Sequence, residues 1–173
     1  MNLKWVKWIA VLGVAAAAVA GTWLIQTAGS VADLKHAPQV AYTRLDGTPA
    51  HSAQWAGKVM LVNFWATSCV ICVQEMPAIV ATHAQFQSRG YDTVAIAMAY
   101  DPPALVVRFA ELHKLPFQVA IDHSGSLASS FGGVAATPTS LLINRRGQIV
   151  QRYVGRPDFD ALRARIDQLL AER

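Results

Sequence analysis

Apolar residues along the chain follow two patterns, nearly continuous short runs and runs at helical spacing. The continuous runs at Val59–Phe64 and Thr93–Met98 predict strands that are buried on both faces, as in the middle of a sheet. Between them, apolar residues at helical spacing predict a helix over about Val70–Arg89, with Pro77 inside it and Gly90 as its stop. This order of strand, helix and strand is typical of an α/β unit.

The rest of the chain continues the alternation. Asp101-Pro102-Pro103 predicts a second helix, with the aspartate as its N-cap and a proline in its first turn, ending near Lys114. The other predicted elements are strands at 39–44, 117–121, 140–143 and 148–153, a turn at 144–147, a helical segment at 127–131 and an amphipathic helix at 158–170. Together they predict an α/β fold with a mixed central sheet flanked by helices.

The longest apolar run lies near the N-terminus, where Trp8–Ile25 contains no charged residue. Its 18 residues would form roughly 27 Å of helix, close to the thickness of the hydrocarbon layer of a membrane. Lys4 and Lys7 precede the run and place the N-terminus in the cytoplasm. We therefore expect a signal-anchor or transmembrane segment at 1–28, a linker at 29–38 and a globular domain at 39–173.

A cleaved signal peptide is the alternative interpretation of this run. Ala18-Val19-Ala20 has the small-x-small form that signal peptidases accept, whereas the continuation of the run through Trp23-Leu24-Ile25 favours an anchor. In both cases the domain is exported to a compartment where thiols are normally oxidised.

Composition narrows the class of function. With 53% hydrophobic and 15% charged residues, the chain suits one globular domain joined to an apolar segment. Its net charge of +4 is modest and its basic residues are scattered, which indicates a solvated surface and no nucleic-acid partner. Its two cysteines, Cys69 and Cys72, are not needed as a staple, because a domain of this size can bury a sufficient core.

The Cys-x-x-Cys pair has three explanations. Zinc normally takes four ligands, and His83 lies too far along the same helix to share a metal with the pair. A structural disulfide would close almost no loop and would stabilise little. A redox pair gains from this placement, because the start of a helix favours a thiolate at Cys69 while Cys72 is shielded one turn inside. We expect no cofactor and no metal, although a copper-binding chaperone using both cysteines and Met76 remains an alternative.

Two segments resemble a known family. "VNFWATSCVICVQEMP" is similar to the active-site segment of thioredoxin-fold proteins, and "ATPTSLLINRRGQIV" is similar to their second signature, in which a proline following Thr137 is held in cis beside the dithiol. Glu75, Asn63 and the N-terminal anchor are similar to the membrane-anchored TlpA/ResA group of thiol-disulfide oxidoreductases. The resemblance covers about 39–173. The site residues that it implies are Cys69, Cys72, Glu75, Asn63, Thr137 and Pro138.

The resemblance implies a protein-disulfide reductase that is anchored in the cytoplasmic (inner) membrane by a single span and faces the periplasm or the cell exterior. Its substrates would be disulfides of exported proteins, with apocytochrome c as the client class. Since the compartment is oxidising, a membrane electron donor would have to reduce the pair again.

Some interpretations stay open on the sequence. Ser68 stands where the family usually has tryptophan, which should open the site. Glu75 is either a solvated helix residue or a proton-transfer group at Cys72, and Asn63 is either a site residue or an ordinary strand residue. The histidines are expected on the surface. A thiol peroxidase is a further alternative, but the Pro-x-x-x-Thr/Ser-x-x-Cys pattern of those enzymes does not precede Cys69.

Overall fold

The structure, a computed structural model, describes residues 35–172. Its strands are β1 Ala41–Thr43, β2 Pro49–His51, β3 Val59–Trp65, β4 Tyr91–Ala97, β5 Gln118–Ile121, β6 Thr139–Ile143 and β7 Ile149–Val154. Its α-helices are α1 Val70–Phe86, α2 Pro103–Leu112, α3 Ser126–Ser130 and α4 Phe159–Ala171. Short 3₁₀ helices at Ser52–Trp55 and Gln87–Arg89 precede β3 and follow α1.

Five strands form one mixed sheet in the order β5-β4-β3-β6-β7. β4 is parallel to β3 and to β5, whereas β6 is antiparallel to β3 and to β7. All seven residues of β3 are buried, as expected for the central strand of a sheet that is covered on both faces. The predicted mixed α/β sheet is therefore confirmed.

Alternate side chains of β3 enter two separate hydrophobic cores. Leu61 and Trp65 face the core formed with α1, α2 and α4. Met60, Val62 and Phe64 face the second core, which is closed by β1, β2 and α3. The ring of Phe64 packs edge-on against the ring of Phe131, which directly follows α3, and the two ring centroids are 5.5 Å apart. Because both faces are filled, β3 has little freedom to shift, and the loop after it leaves the sheet at a fixed point.

The structure differs from the sequence prediction at the edges of the sheet. The predicted strand at 39–44 is shorter, and it forms a two-stranded hairpin with β2, which was not predicted. The predicted helix at 70–89 is α1 followed by a 3₁₀ turn, and Gly90 ends it in the left-handed region with φ 95°.

The predicted N-cap role of Asp101 is wrong. α2 begins at Pro103 with Pro102 as its N-cap, and no side chain caps its first turn. Instead, the buried carboxylate of Asp101 accepts hydrogen bonds from the backbone N–H and the hydroxyl of Thr67. The aspartate therefore binds the loop before Cys69.

The predicted anchor at 1–28 lies outside the described residues, as does most of the predicted linker at 29–38. Within the described part of the chain, no helix combines the length and apolar character that a membrane span requires. Lys35 and Ala37 make backbone hydrogen bonds to Ile149 and Gly147, so the last residues of the predicted linker lie along the β7 hairpin.

The predicted amphipathic helix at 158–170 is α4, and Asp158, which directly precedes it, is its N-cap. The carboxylate of Asp158 accepts hydrogen bonds from the backbone N–H groups of Asp160 and Ala161 at 2.9 and 3.1 Å. We expect Asp158→Ala to lower the free energy of unfolding by about 1 kcal/mol, because two N–H groups lose their partner. Asp167→Ala is the matched control, since it removes only an exposed ion pair with Arg89 and should cost less than about 0.5 kcal/mol. Urea unfolding followed by tryptophan fluorescence measures both. Equal losses in the two variants would contradict the capping role.

Candidate redox site

The two cysteines lie at the start of α1, beyond the carboxyl end of β3. Cys69 is the N-cap of the helix, with φ −87° and ψ 102°, and its sulfur accepts a hydrogen bond from the backbone N–H of Cys72 at 3.2 Å. Cys69 and Cys72 form a disulfide, with Cα atoms 5.2 Å apart. The N–H groups at a helix start have no partner within the helix and favour negative charge. After reduction, the same position therefore favours a thiolate at Cys69.

The two sulfurs differ in access. Cys72 is fully buried in the core beneath α1, whereas Cys69 is only partly buried. Val70 and Ile71, which lie between them, are exposed by 68% and 49%, so the surface around the pair is apolar. A large molecule can reach Cys69 directly, whereas Cys72 is shielded from it.

The loop before Cys69 is held from the neighbouring strand. Asp101 follows β4 and is 2% exposed, and its two oxygens accept from the N–H and the hydroxyl of Thr67 at 2.6 and 2.5 Å. Hydrogen bonds to an ionised carboxylate are stronger than neutral ones. They connect the ends of two parallel strands and fix the approach to the disulfide.

A buried polar network connects β3, α1 and β6. Asn63 of β3 donates through Nδ2 to Oε1 of Glu75 at 3.2 Å and to Oγ of Ser140 at 3.0 Å. Ser140 is the antiparallel partner of Asn63 on β6. Oδ1 of Asn63 and Oε2 of Glu75 are buried and have no hydrogen-bond partner among residues 35–172. Glu75 and Cys72 are three residues apart in α1, which places them on the same face of the helix.

Burial raises the pKa of Glu75 to about 7, because a carboxylate is poorly solvated there. The hydrogen bond from Asn63 and the positive charge of Arg156 act in the opposite direction and lower the pKa of this carboxyl. Glu75 therefore exchanges its proton near neutral pH, in the range in which thiols also lose theirs.

Thr137 and Pro138 lie in the loop that leads into β6. The Thr137–Pro138 peptide bond is cis, as the sequence predicted. Pro138 is buried, and its carbonyl accepts a hydrogen bond from Gly155 N–H at 2.8 Å. The hydroxyl of Thr137 is 3.3 Å from that of Tyr100, so this loop is connected to the chain that follows β4.

The sequence analysis left Glu75 open, placed His83 wrongly and missed other residues. Of the two interpretations of Glu75, the solvated one is excluded, since its side chain is fully buried, and His83 is buried instead of lying on the surface. Neither was evident, because a helix pattern does not show which turn packs under the sheet. Ser140 and Asp101 were missed. The signal for Asp101 was its position at the carboxyl end of a parallel strand, next to the end of β3.

A cavity of about 740 Å³ lies at the other end of β3 and β4, around Lys58, His83 and Asp92. It contains none of the candidate site residues. We therefore place the chemistry at the disulfide.

Comparison with known proteins agrees with this site. Residues 32–170 match the Redoxin family model. The chain is 32% identical over 121 residues to the thiol-disulfide oxidoreductase ResA of Bacillus thuringiensis subsp. konkukian, covering 70% of this chain and 69% of that protein. It is 29% identical over 119 residues to the ResA protein of Geobacillus thermodenitrificans, covering 69% and 67%.

A solved structure shows the same fold. The thiol:disulfide interchange protein of the thioredoxin family from Chlorobium tepidum superposes with a TM-score of 0.73 at 28% identity, over 81% of this chain and 99% of that one. The described part of the chain thus has a thioredoxin-like fold, as the resemblance implied.

The raised pKa of Glu75 predicts how stability depends on pH. The folded state holds this proton more tightly than the unfolded chain, in which the pKa is about 4.5. Its contribution is therefore fully present below pH 4.5 and is lost as pH rises through 7. We expect Glu75→Gln to be more stable than the original chain at pH 8, by up to about 3 kcal/mol, and equally stable at pH 4. Urea unfolding of the oxidised protein at both pH values measures this.

Glu111→Gln is the matched control, because Glu111 is exposed on α2. Its stability should follow that of the original chain at both pH values. A stability difference for Glu75→Gln that does not change with pH would show that the carboxyl titrates near its ordinary pKa.

Proposed function

The chain belongs to the Redoxin family and, within it, to the ResA-like thiol-disulfide oxidoreductases, and we propose that it reduces disulfides in exported proteins. The observation that carries this proposal is the unequal access of the two sulfurs at the start of α1. One partly buried cysteine at a helix N-terminus and one fully buried cysteine suit an exchange that occurs in two ordered steps.

The exchange begins at Cys69. Its thiolate attacks one sulfur of the client disulfide, that bond breaks, and the other client sulfur leaves as a thiolate that takes up a proton. Cys72 then loses its proton and attacks the Cys69 sulfur, which releases the second client thiol and forms the Cys69–Cys72 disulfide. Two electrons pass from the dithiol to the client.

Glu75 is proposed to take the proton of Cys72 in the second step. It is one turn further along the same helix face, and its pKa of about 7 lets it accept a proton at neutral pH and return it when the pair is reduced again. Asn63 is proposed to position this carboxyl, because its amide donates to Oε1 of Glu75.

Thr137 and Pro138 are proposed to contact the client beside the disulfide. Their loop is held by the hydrogen bond from Gly155 N–H to the carbonyl of Pro138 and by the contact between the hydroxyls of Tyr100 and Thr137. A rigid loop can orient an extended chain without first having to be ordered.

The cellular setting is also part of the proposal. The apolar run within residues 1–28 would anchor the protein in the cytoplasmic membrane with its catalytic domain on the outer side. In that oxidising compartment the dithiol needs a membrane electron donor, because otherwise it would remain a disulfide. Exported proteins whose cysteines must be reduced, such as apocytochrome c, are the proposed clients.

Cys72→Ser should accumulate mixed disulfides with exported proteins, because the first step proceeds and the second cannot. Cys69→Ser is the matched control and should accumulate few, since serine at the accessible position cannot start the exchange. Non-reducing gels followed by reduction measure the adducts. Equal trapping by the two variants would contradict the assigned order. Adducts with neither, together with stoichiometric Cu(I) binding, would favour a copper-binding chaperone.

The direction of electron flow predicts the redox state of the pair in cells. We expect a substantial fraction of Cys69 and Cys72 to be in the dithiol form at steady state, because only the reduced pair can reduce a client disulfide. Alkylation of intact cells with a mass-shifting maleimide measures this fraction, and cells treated with an oxidant give the disulfide reference. A pair that is fully oxidised in growing cells would contradict the reductase proposal.

A further inference from the structure

An open groove of about 500 Å³ begins beside the disulfide and runs along α2. Thr67 and Ser68 line one end, directly before Cys69, and Leu112 lines the other. The volume lies in the range of pockets that bind small molecules or peptide side chains. The groove is not lined by the site residues Cys69, Cys72, Glu75, Asn63 or Pro138.

The walls of the groove are apolar and exposed. Tyr100, Leu105 and Leu112 are exposed by 62%, 49% and 73%. Large apolar side chains that are grouped at an open surface mark an interaction site more often than single ones do. At the base, Phe109 packs against the buried ring of Trp65, with centroids 5.0 Å apart. This part of the groove therefore rests on a contact with the core.

The groove is continuous with the redox site on two sides. Ser68 is the residue before Cys69, and its small side chain leaves that end of the groove open. On the other side, Tyr100 contacts the hydroxyl of Thr137 at 3.3 Å. A polypeptide that brings a disulfide to Cys69 must pass over this border.

The accessible charge in the groove is positive. Asp101 lines the groove but is only 2% exposed, and its carboxylate accepts a hydrogen bond from the hydroxyl of Thr67. Arg108 is exposed, lines the groove and forms no ion pair within residues 35–172. An occupant with an acidic group would pair with this guanidinium.

We propose that this groove binds an extended segment of the client polypeptide next to its reactive cysteine, with a large apolar side chain against Leu105 and Phe109 and an acidic side chain at Arg108. The inference rests on the proposed disulfide exchange and specifies which clients are favoured. A second copy of the chain is the less suitable occupant, because it would cover Ser68 and obstruct the approach to Cys69.

The probe is a set of synthetic peptides, each with one cysteine joined to thionitrobenzoate in a mixed disulfide. The thiolate of Cys69 attacks the peptide sulfur, the mixed disulfide breaks and thionitrobenzoate leaves as a coloured thiolate. Cys72 then attacks Cys69 and releases the peptide thiol, so the dithiol supplies both electrons. Leucine and glutamate are placed before the cysteine in one series and after it in the other, so that both chain directions are sampled.

The assay uses the reduced full-length chain in detergent. We expect one of the two peptide series to react faster when it carries leucine and glutamate. Replacing its leucine by glycine should lower the second-order rate constant of this single turnover about tenfold, because burial of a leucine side chain is lost. Replacing its glutamate by lysine should lower that rate constant about threefold at low salt and less at high salt. The ratio of two peptide rates on one protein sample does not depend on the fraction of that sample that is folded.

Three variants test the groove itself. Ser68→Trp and Leu105→Asp should bring the ratio of the leucine to the glycine peptide close to one. Arg108→Glu should reverse the preference between the glutamate and the lysine peptide. Lys114→Glu is the matched control, since it changes the charge equally just beyond α2 but does not line the groove, and it should keep both preferences.

The proposal is overturned if the original chain shows no preference in either series, or if Ser68→Trp and Leu105→Asp keep it. It is also overturned if the chain forms a dimer that Leu105→Asp dissociates while peptide rates stay equal, since a second copy then covers the groove. Reaction with bis(2-hydroxyethyl) disulfide distinguishes failure of the groove proposal from failure of the proposed function. Reaction with this small disulfide but no peptide preference refutes only the groove, whereas no reaction with any disulfide refutes the proposed function.

Discussion

Burial of β3 on both faces is the constraint on which the site depends. All of its side chains except that of Asn63 are packed into one of two hydrophobic cores, so the strand cannot shift without disturbing both. The chain leaves the sheet after Trp65 and begins α1 at Val70, which leaves room for one short loop. Asp101 binds that loop at Thr67. Cys69 is thereby held as the N-cap, where unpaired N–H groups favour a thiolate.

The same packing carries a desolvation cost at two buried polar side chains. Asn63 lies in the middle of β3 and Glu75 lies on the buried face of α1, so two polar groups occupy a core that could hold apolar side chains. Their mutual hydrogen bond and the bond to Ser140 offset part of the desolvation cost. The remainder appears as the raised pKa of Glu75.

Much of this fold follows from the sequence, because its signals are local. The apolar run of β3 and the amphipathic pattern of α4 each act over a few residues, and both elements were predicted correctly. The roles of Asp101 and Ser140 were not, because they depend on which strand end or which register faces Thr67 or Asn63. The burial of Glu75 was left open for the same reason, since an isolated helix pattern does not reveal the element that covers it.

The groups that carry out the exchange differ from the surfaces that would select the client. The exchange needs only a helix start, an accessible sulfur and a buried one, all of which β3 and α1 provide. Choice of client cannot arise from those groups, because every disulfide presents similar sulfur atoms. It must come from surface that touches the client chain on either side of its cysteine. Val70 and Ile71 form one such surface. The exposed face of α2 supplies another, and it can vary without altering the dithiol, because no residue of α2 belongs to the pair or to the polar network around Asn63 and Glu75.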